Sequence, residues 1–116
     1  MRFITVALLL LSTTQTCGQN VYLNYGQWEQ MPTSLRERYI AGTFDALSTV
    51  SVPENAAVSM RYNECIAKIG MSSGQLAENM KGYAGPQPDL QTKPVPIVLM
   101  HYLISLCGRP PDVVGE

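Results

Sequence analysis

The chain has 116 residues and a formal net charge of −1, with 46% hydrophobic and 15% charged residues. That length suits one domain, and the apolar content excludes a disordered chain, which would be highly charged and poor in apolar residues. The near-neutral charge also excludes the cationic surface on which nucleic-acid binding depends. We therefore expect one small globular domain with no nucleic-acid partner.

The amino terminus has the three-part pattern of a secretory signal peptide. An arginine follows the first methionine, residues 3–11 are apolar apart from one threonine, and residues 12–18 are mostly small and polar. The apolar run is about half of the roughly 20 residues that a membrane-spanning helix needs. We predict a signal peptide over 1–18 and an exported single domain over 19–116. The alternative is a small lipoprotein with its lipid on Cys17, which is the one membrane attachment left open.

Cleavage would leave two of the three cysteines, Cys65 and Cys107. An exported chain with an even number of cysteines normally pairs them, and two cysteines allow one pairing. A bridge that closes a loop of about 40 residues stabilises the folded chain by roughly 3–4 kcal/mol in the chain-entropy model. We therefore predict a Cys65–Cys107 disulfide.

Apolar residues at steps of three and four predict a first helix over residues 34–50. Ser34 and Glu37 have the spacing of a capping box at its start. Gly42 lies inside this helix, where glycine costs about 1 kcal/mol relative to alanine. We interpret Gly42 as a mark of close contact with a neighbouring helix, and we expect the prolyl segment at 52–55 to end the helix.

Two further helices follow in the sequence. The second stops at Gly70 and places Cys65 on its apolar face. The third begins at a capping box formed by Ser72 and Gln75 and runs to about Tyr83.

A fourth helix is predicted over residues 96–107, after a proline-rich connector over 84–96. Proline in its first turn and Gly108 just past its end are the expected asymmetry of a helix. Apolar residues occur on every face, so we expect a central helix that is buried nearly all round. No segment alternates with the period of a strand. The sequence therefore predicts an all-α fold, a small disulfide-stapled bundle of about four helices.

No constellation of catalytic or metal-binding residues is evident. His101, the single histidine, lies four residues before Ser105, but both are in the most apolar stretch with no acid nearby to orient the ring. We interpret His101 as a core residue bonded to a hydroxyl or a carbonyl. One histidine and two distant cysteines lack the short paired spacings of a zinc site. We expect neither an enzyme nor a bound metal or cofactor.

Binding is the function class that remains. Residues 19–31 hold several aromatic side chains without a sustained period, and we expect an extended arm whose rings cover the domain; an exposed partner-binding patch is the alternative. Because recognition is usually carried by loops on a rigid scaffold, we expect the connector and this arm to contact a protein partner or a second copy of the chain. The candidate contact residues are Tyr25, Trp28, Pro86, Gln87, Asp89 and Lys93.

Several short motifs occur in a distinctive order over about residues 28–108. In chain order they are Trp28, Tyr39-Ile40-Ala41-Gly42, Asp45, Cys65, Ser72-Ser73-Gly74-Gln75-Leu76, Tyr83, Pro88 and the apolar helix that ends at Cys107. This order and spacing resembles the core pattern of the Rap/Tai family of periplasmic immunity proteins. The connector over 86–96 is richer in proline than that pattern, and the segment 52–57 has no counterpart in it.

The resemblance implies a helical bundle in the periplasm of a Gram-negative bacterium, where it protects its own cell from a toxic effector delivered by type VI secretion. Known effectors of this kind include peptidoglycan amidases. Inhibition would be steric, since the immunity protein covers the cleft of the enzyme. Cys65 and Cys107 correspond to family cysteines, whereas contact residues vary between members. The alternative is a periplasmic helical chaperone or stress protein of unknown partner, against which the scarcity of titratable groups argues.

Overall fold

A computed structural model describes residues 22–49 and 56–109 of the chain. The predicted signal peptide over 1–18 and the predicted helix break at 52–55 lie outside the described residues.

Five α-helices make up the described structure, and a 3₁₀ turn precedes the last one. The α-helices are α1 (Tyr25–Glu29), α2 (Thr33–Thr49), α3 (Ala56–Ile69), α4 (Ser73–Ala84) and α5 (Val95–Cys107), and the 3₁₀ helix is Pro88–Leu90. Within the described ranges there is no β-strand, although Asn24 and Pro94 form an isolated antiparallel bridge. A disulfide joins Cys65 on α3 to Cys107 on α5, with their Cα atoms 6.0 Å apart. The predicted all-α, disulfide-linked bundle is confirmed, with one short helix more than expected.

The core lies between α5 and the other four helices. α5 contacts each of α1, α2, α3 and α4, and α2 packs against α3 and α4. Val98, Leu99 and Leu103 of α5 have no exposed surface. Ile97 of the same helix is 46% exposed, because the four neighbours cover only part of its circumference. The expectation that this helix is buried nearly all round is therefore wrong.

The start of α4 is the capping box predicted from the sequence. The Gln75 amide donates to Ser72 Oγ at 3.2 Å, and the Ser72 amide donates to Gln75 Oε1 at 2.9 Å. These bonds satisfy two amides that the helix itself leaves without partners.

The capping box predicted at Ser34 is wrong, because α2 begins one residue earlier, at Thr33. The Pro32 carbonyl accepts from the amides of Leu35 and Arg36, both at 3.0 Å. Ser34 therefore lies inside the first turn. The Glu37 carboxylate lies instead beside the first turn of α4, where a Cβ atom added to Gly74 would come within 3.1 Å of Glu37 Oε1.

Two glycines end helices with backbone angles that other residues rarely adopt. Gly70 follows α3 with a φ of 73°, and Gly108 follows α5 with a φ of 81°. Both helix ends agree with the sequence prediction. Gly42 differs, since a Cβ atom added to it would meet nothing within 4 Å. Its predicted close contact with a neighbouring helix is wrong for the described part of this chain.

None of the described helices combines the length and the hydropathy that a membrane crossing requires.

Candidate partner-binding surface

The two aromatic residues predicted to contact a partner are buried in the core, beneath the connector. Residues 25–29 form a short helix and not an extended arm, because Asn24 and Gln27 make a reciprocal capping box. Tyr25 and Trp28 have no exposed surface, and their ring centroids lie 5.6 Å apart. The prediction of Tyr25 and Trp28 as contact residues is therefore wrong, since fully covered side chains cannot touch a partner. That their rings cover the domain is confirmed.

Each of these rings also makes one polar bond across the core. The Tyr25 hydroxyl donates to the Lys81 carbonyl at 3.3 Å, and Trp28 Nε1 donates to the Arg36 carbonyl at 3.2 Å. Burial raises the pKa of Tyr25 to about 12, and the nearby Glu29 carboxylate adds to the rise. The Tyr25 phenol is therefore neutral across the physiological pH range.

Backbone hydrogen bonds join the start of the described chain to the connector. The Tyr25 amide donates to the Lys93 carbonyl and the Gly26 amide donates to the Gln91 carbonyl, both at 3.0 Å. The Val95 amide, at the start of α5, donates to the Leu23 carbonyl at 2.9 Å. The carboxyl-terminal part of the connector is thus held by α1 and the residues just before it, and the core in turn holds α1 in place.

Glutamine side chains complete the internal bonding of the connector. Gln87 Nε2 donates to the Tyr83 carbonyl at 2.7 Å. Gln91 Nε2 donates to the carbonyls of Ala84 and Gln87, at 3.0 and 3.2 Å. Leu90 is buried in the core. A segment rich in proline therefore has one defined conformation, because side chains replace the backbone donors that proline lacks.

The outer side of the connector carries three of the predicted contact residues. Pro86, Asp89 and Lys93 are exposed, whereas Gln87 is half-buried and its amide nitrogen is engaged with Tyr83. Within the described ranges, the carboxylate of Asp89 and the ammonium of Lys93 have no ion-pair partner. The structure therefore presents a proline and two opposite free charges on one rigid segment. We call residues 85–93 the connector surface.

His101 and Ser105 lie on the outer face of α5, where both are exposed. The interpretation of His101 as a core residue is wrong, because it falls on the part of α5 that the other helices leave uncovered. No group of three His, Cys, Asp or Glu side chains in the described part of the chain could hold a metal ion.

An open groove on α2 is the feature that the sequence predictions missed. It has a volume of about 440 Å³ and is predominantly apolar. Its lining residues are Arg38, Tyr39, Gly42, Thr43, Ala46, Leu47 and Pro96. The Thr43 hydroxyl donates to the Tyr39 carbonyl at 2.8 Å, so its hydrogen-bonding need is met within the helix. The available signal was Gly42, whose place inside a helix no contact among the described residues requires.

Comparisons of the chain with models of known families, with curated proteins and with solved structures gave no match. The resemblance to the Rap/Tai family therefore rests on the order of the motifs in this sequence alone.

Proposed function

We propose that the protein is an exported, non-enzymatic binding protein of the Rap/Tai type, which inhibits a secreted cell-wall-degrading effector by covering its cleft. The observation that carries the proposal is the connector surface, an irregular segment that side-chain and backbone bonds hold in one conformation. Its exposed side chains have no partner within the described structure, whereas the aromatic residues beneath it are fully used in packing.

A rigid recognition segment favours tight binding for a physical reason. Ordering a loop on association costs conformational entropy, and a segment that is already ordered avoids most of that cost. Asp89 and Lys93 add opposite charges four residues apart, which set orientation and reject wrongly charged partners. The connector surface is therefore suited to a partner that offers a complementary pair of charges beside an apolar patch for Pro86.

The disulfide supports the part of the proposal that concerns compartment. Cys65 and Cys107 form a bridge, and such bridges persist in oxidising compartments such as the periplasm. The proposed partner is a peptidoglycan amidase, which is the effector class that the family resemblance suggests.

The test is inhibition of a peptidoglycan hydrolase encoded beside the gene for this protein. Purified, oxidised protein is titrated into the hydrolase, and the release of soluble fragments from peptidoglycan is followed. We expect stoichiometric inhibition. The double variant Asp89→Lys/Lys93→Glu should bind at least about tenfold more weakly, since it reverses both charges of the connector surface.

A matched control is available on α3. Glu64 and Lys68 are also exposed and also four residues apart, so Glu64→Lys/Lys68→Glu makes the same reversal away from the connector. It should inhibit like the wild type. Equal loss in both variants, or no inhibition by the wild type, would contradict the proposal.

A further inference from the structure

The positions of the lysines and arginines follow a pattern. The chain has 8 of these residues, of which Arg2 lies in the predicted signal peptide. Five others lie inside helices, and they are Arg36, Arg38, Arg61, Lys68 and Lys81. Outside the helices remain Lys93 and Arg109. A proline follows each of these two directly in the sequence. Only 8 of the 116 residues are prolines, so its presence after both calls for an explanation.

A proline after a lysine or arginine protects the peptide bond between them from one class of protease. Serine proteases of the trypsin type hold the basic side chain in a specificity pocket and cut the bond on its carboxyl side. Proline fixes its own φ, lacks an amide hydrogen and restricts the residue before it, so such a bond fits this active site poorly. Lys93 and Arg109 are exposed, but the bonds that follow them resist this cleavage.

The tertiary structure protects three of the basic residues through their carbonyl oxygens. During cleavage, the carbonyl oxygen of the lysine or arginine must enter the oxyanion hole of the protease. The Lys93 carbonyl instead accepts from the Tyr25 amide at 3.0 Å, and the Lys81 carbonyl accepts from the Tyr25 hydroxyl at 3.3 Å. The Arg36 carbonyl accepts from Trp28 Nε1 at 3.2 Å. Tyr25 and Trp28 are buried, so the release of these carbonyls requires movement in the core.

The remaining three basic residues are exposed but lie within α2 and α3, and they are Arg38, Arg61 and Lys68. A protease binds its substrate in an extended conformation, so a helix must first open locally. Lys68 is the closest of the three to a helix end. Beyond it, the amides of Gly70 and Met71 both donate to the Ile66 carbonyl, at 3.0 and 3.3 Å. These bonds keep the end of α3 closed.

We propose that the folded protein resists proteases that cleave after lysine or arginine. Each such bond between residues 36 and 110 is protected by a helix, by a hydrogen bond to its carbonyl oxygen or by a following proline. This inference concerns the peptide bonds of the chain itself, so it does not depend on the proposed inhibitory function. It gives Tyr25 and Trp28 a role in addition to their packing, because three of the protected carbonyls are bonded to them.

The test is limited digestion of the folded, oxidised protein with trypsin, with the products identified by mass spectrometry over time. The wild type should remain uncut after every lysine and arginine from Arg36 to Arg109. Pro110→Ala should be cut after Arg109 at least about tenfold faster than the wild type. Because this substitution lies beyond the end of α5, the helical fold should be unaffected.

Pro94→Ala tests the bond in the connector. It should be cut after Lys93, but more slowly than Pro110→Ala is cut after Arg109, because the Tyr25 amide still holds the Lys93 carbonyl. The two fragments would stay joined by the disulfide, so the products are analysed after reduction.

A matched control is available in the same connector. Pro86 is exposed and follows a glycine, so Pro86→Ala creates no new site and should resist trypsin like the wild type. Circular dichroism verifies that each variant is folded. Three results would overturn the proposal. They are cleavage of the folded wild type after any lysine or arginine from Arg36 to Arg109, resistance of Pro110→Ala, and equal cleavage of Pro86→Ala and Pro94→Ala.

Discussion

The Arg61 guanidinium on α3 donates a hydrogen bond of 2.9 Å to the carbonyl oxygen of Cys107, the last residue of α5. Cys65, one helical turn further along α3, forms the disulfide with the same Cys107. α3 and α5 are therefore joined twice at one point. One link is the covalent disulfide, and the other is the hydrogen bond from the guanidinium to a carbonyl that has no amide partner within the helix. This end of the bundle depends on a bridge that forms under oxidising conditions.

The first prediction concerns that bridge. Cys65→Ser should lower the free energy of unfolding by roughly 2–4 kcal/mol in oxidising buffer, because the unfolded chain regains the freedom of a closed loop. Urea denaturation with and without dithiothreitol measures the effect. The reductant should bring the wild type to the midpoint of the variant and leave the variant unchanged. A wild type that is insensitive to the reductant would show that the bridge contributes nothing.

The second prediction compares two glycines. Gly108 has φ 81° and ψ 162°, a region open almost only to glycine, and an added Cβ atom would lie 3.2 Å from Arg61 Nη2. Gly108→Ala should therefore destabilise the fold by about 1–3 kcal/mol.

Gly42→Ala is the matched change at an unstrained site, and it should stabilise the fold by up to about 1 kcal/mol. Both variants are compared by thermal melting at low protein concentration. Changes of the melting temperature in the same direction for both variants would contradict the assignment of backbone strain to Gly108 alone.

The third prediction contrasts two buried phenols. The hydroxyl of Tyr62 is buried and has no hydrogen-bond partner among the residues that the structure describes, whereas that of Tyr25 donates to the Lys81 carbonyl at 3.3 Å. Tyr62→Phe should leave stability unchanged or raise it by up to about 1 kcal/mol, because it removes an unpaired polar group. Tyr25→Phe should cost about 0.5–1.5 kcal/mol. Urea denaturation of the two variants provides the measurement, and a larger loss for Tyr62→Phe would refute the argument.

The fourth prediction is a loss of stability in alkaline solution. The pKa of Tyr25 rises from 10.0 to about 12 in the folded protein. A phenol that holds its proton more tightly when folded contributes its full stabilisation below about pH 10, and that contribution is lost as the pH rises towards about 12. The urea midpoint of the wild type should therefore fall more steeply than that of Tyr25→Phe between about pH 9.5 and 11.5. Parallel slopes for the two proteins would be the contrary result.

Local signals in the sequence predicted the start or end of a helix correctly wherever one or two neighbouring residues determine the backbone conformation. Ser72 and Gln75 set the start of α4, and Gly70 and Gly108 mark the ends of α3 and α5, because caps and positive φ angles depend on adjacent atoms. The pairing of Cys65 with Cys107 followed from the predicted loss of Cys17 with the signal peptide, which leaves two cysteines. The helix at 25–29 was not predicted because five residues are too few to show a helical period. Asn24 and Gln27 nevertheless have the spacing of the capping box at its start.

Burial was decided by the tertiary structure alone. A helical period shows which side chains share a face, but a neighbouring helix must be present to cover that face. The packing of α1 beneath the connector buried Tyr25 and Trp28, and the grouping of the other helices around part of α5 left His101 in solvent. The sequence by itself thus determined where most helices begin and end and which sulfur atoms bond. Which surfaces face outward, and the groove at Gly42, depended on contacts between residues far apart in the chain.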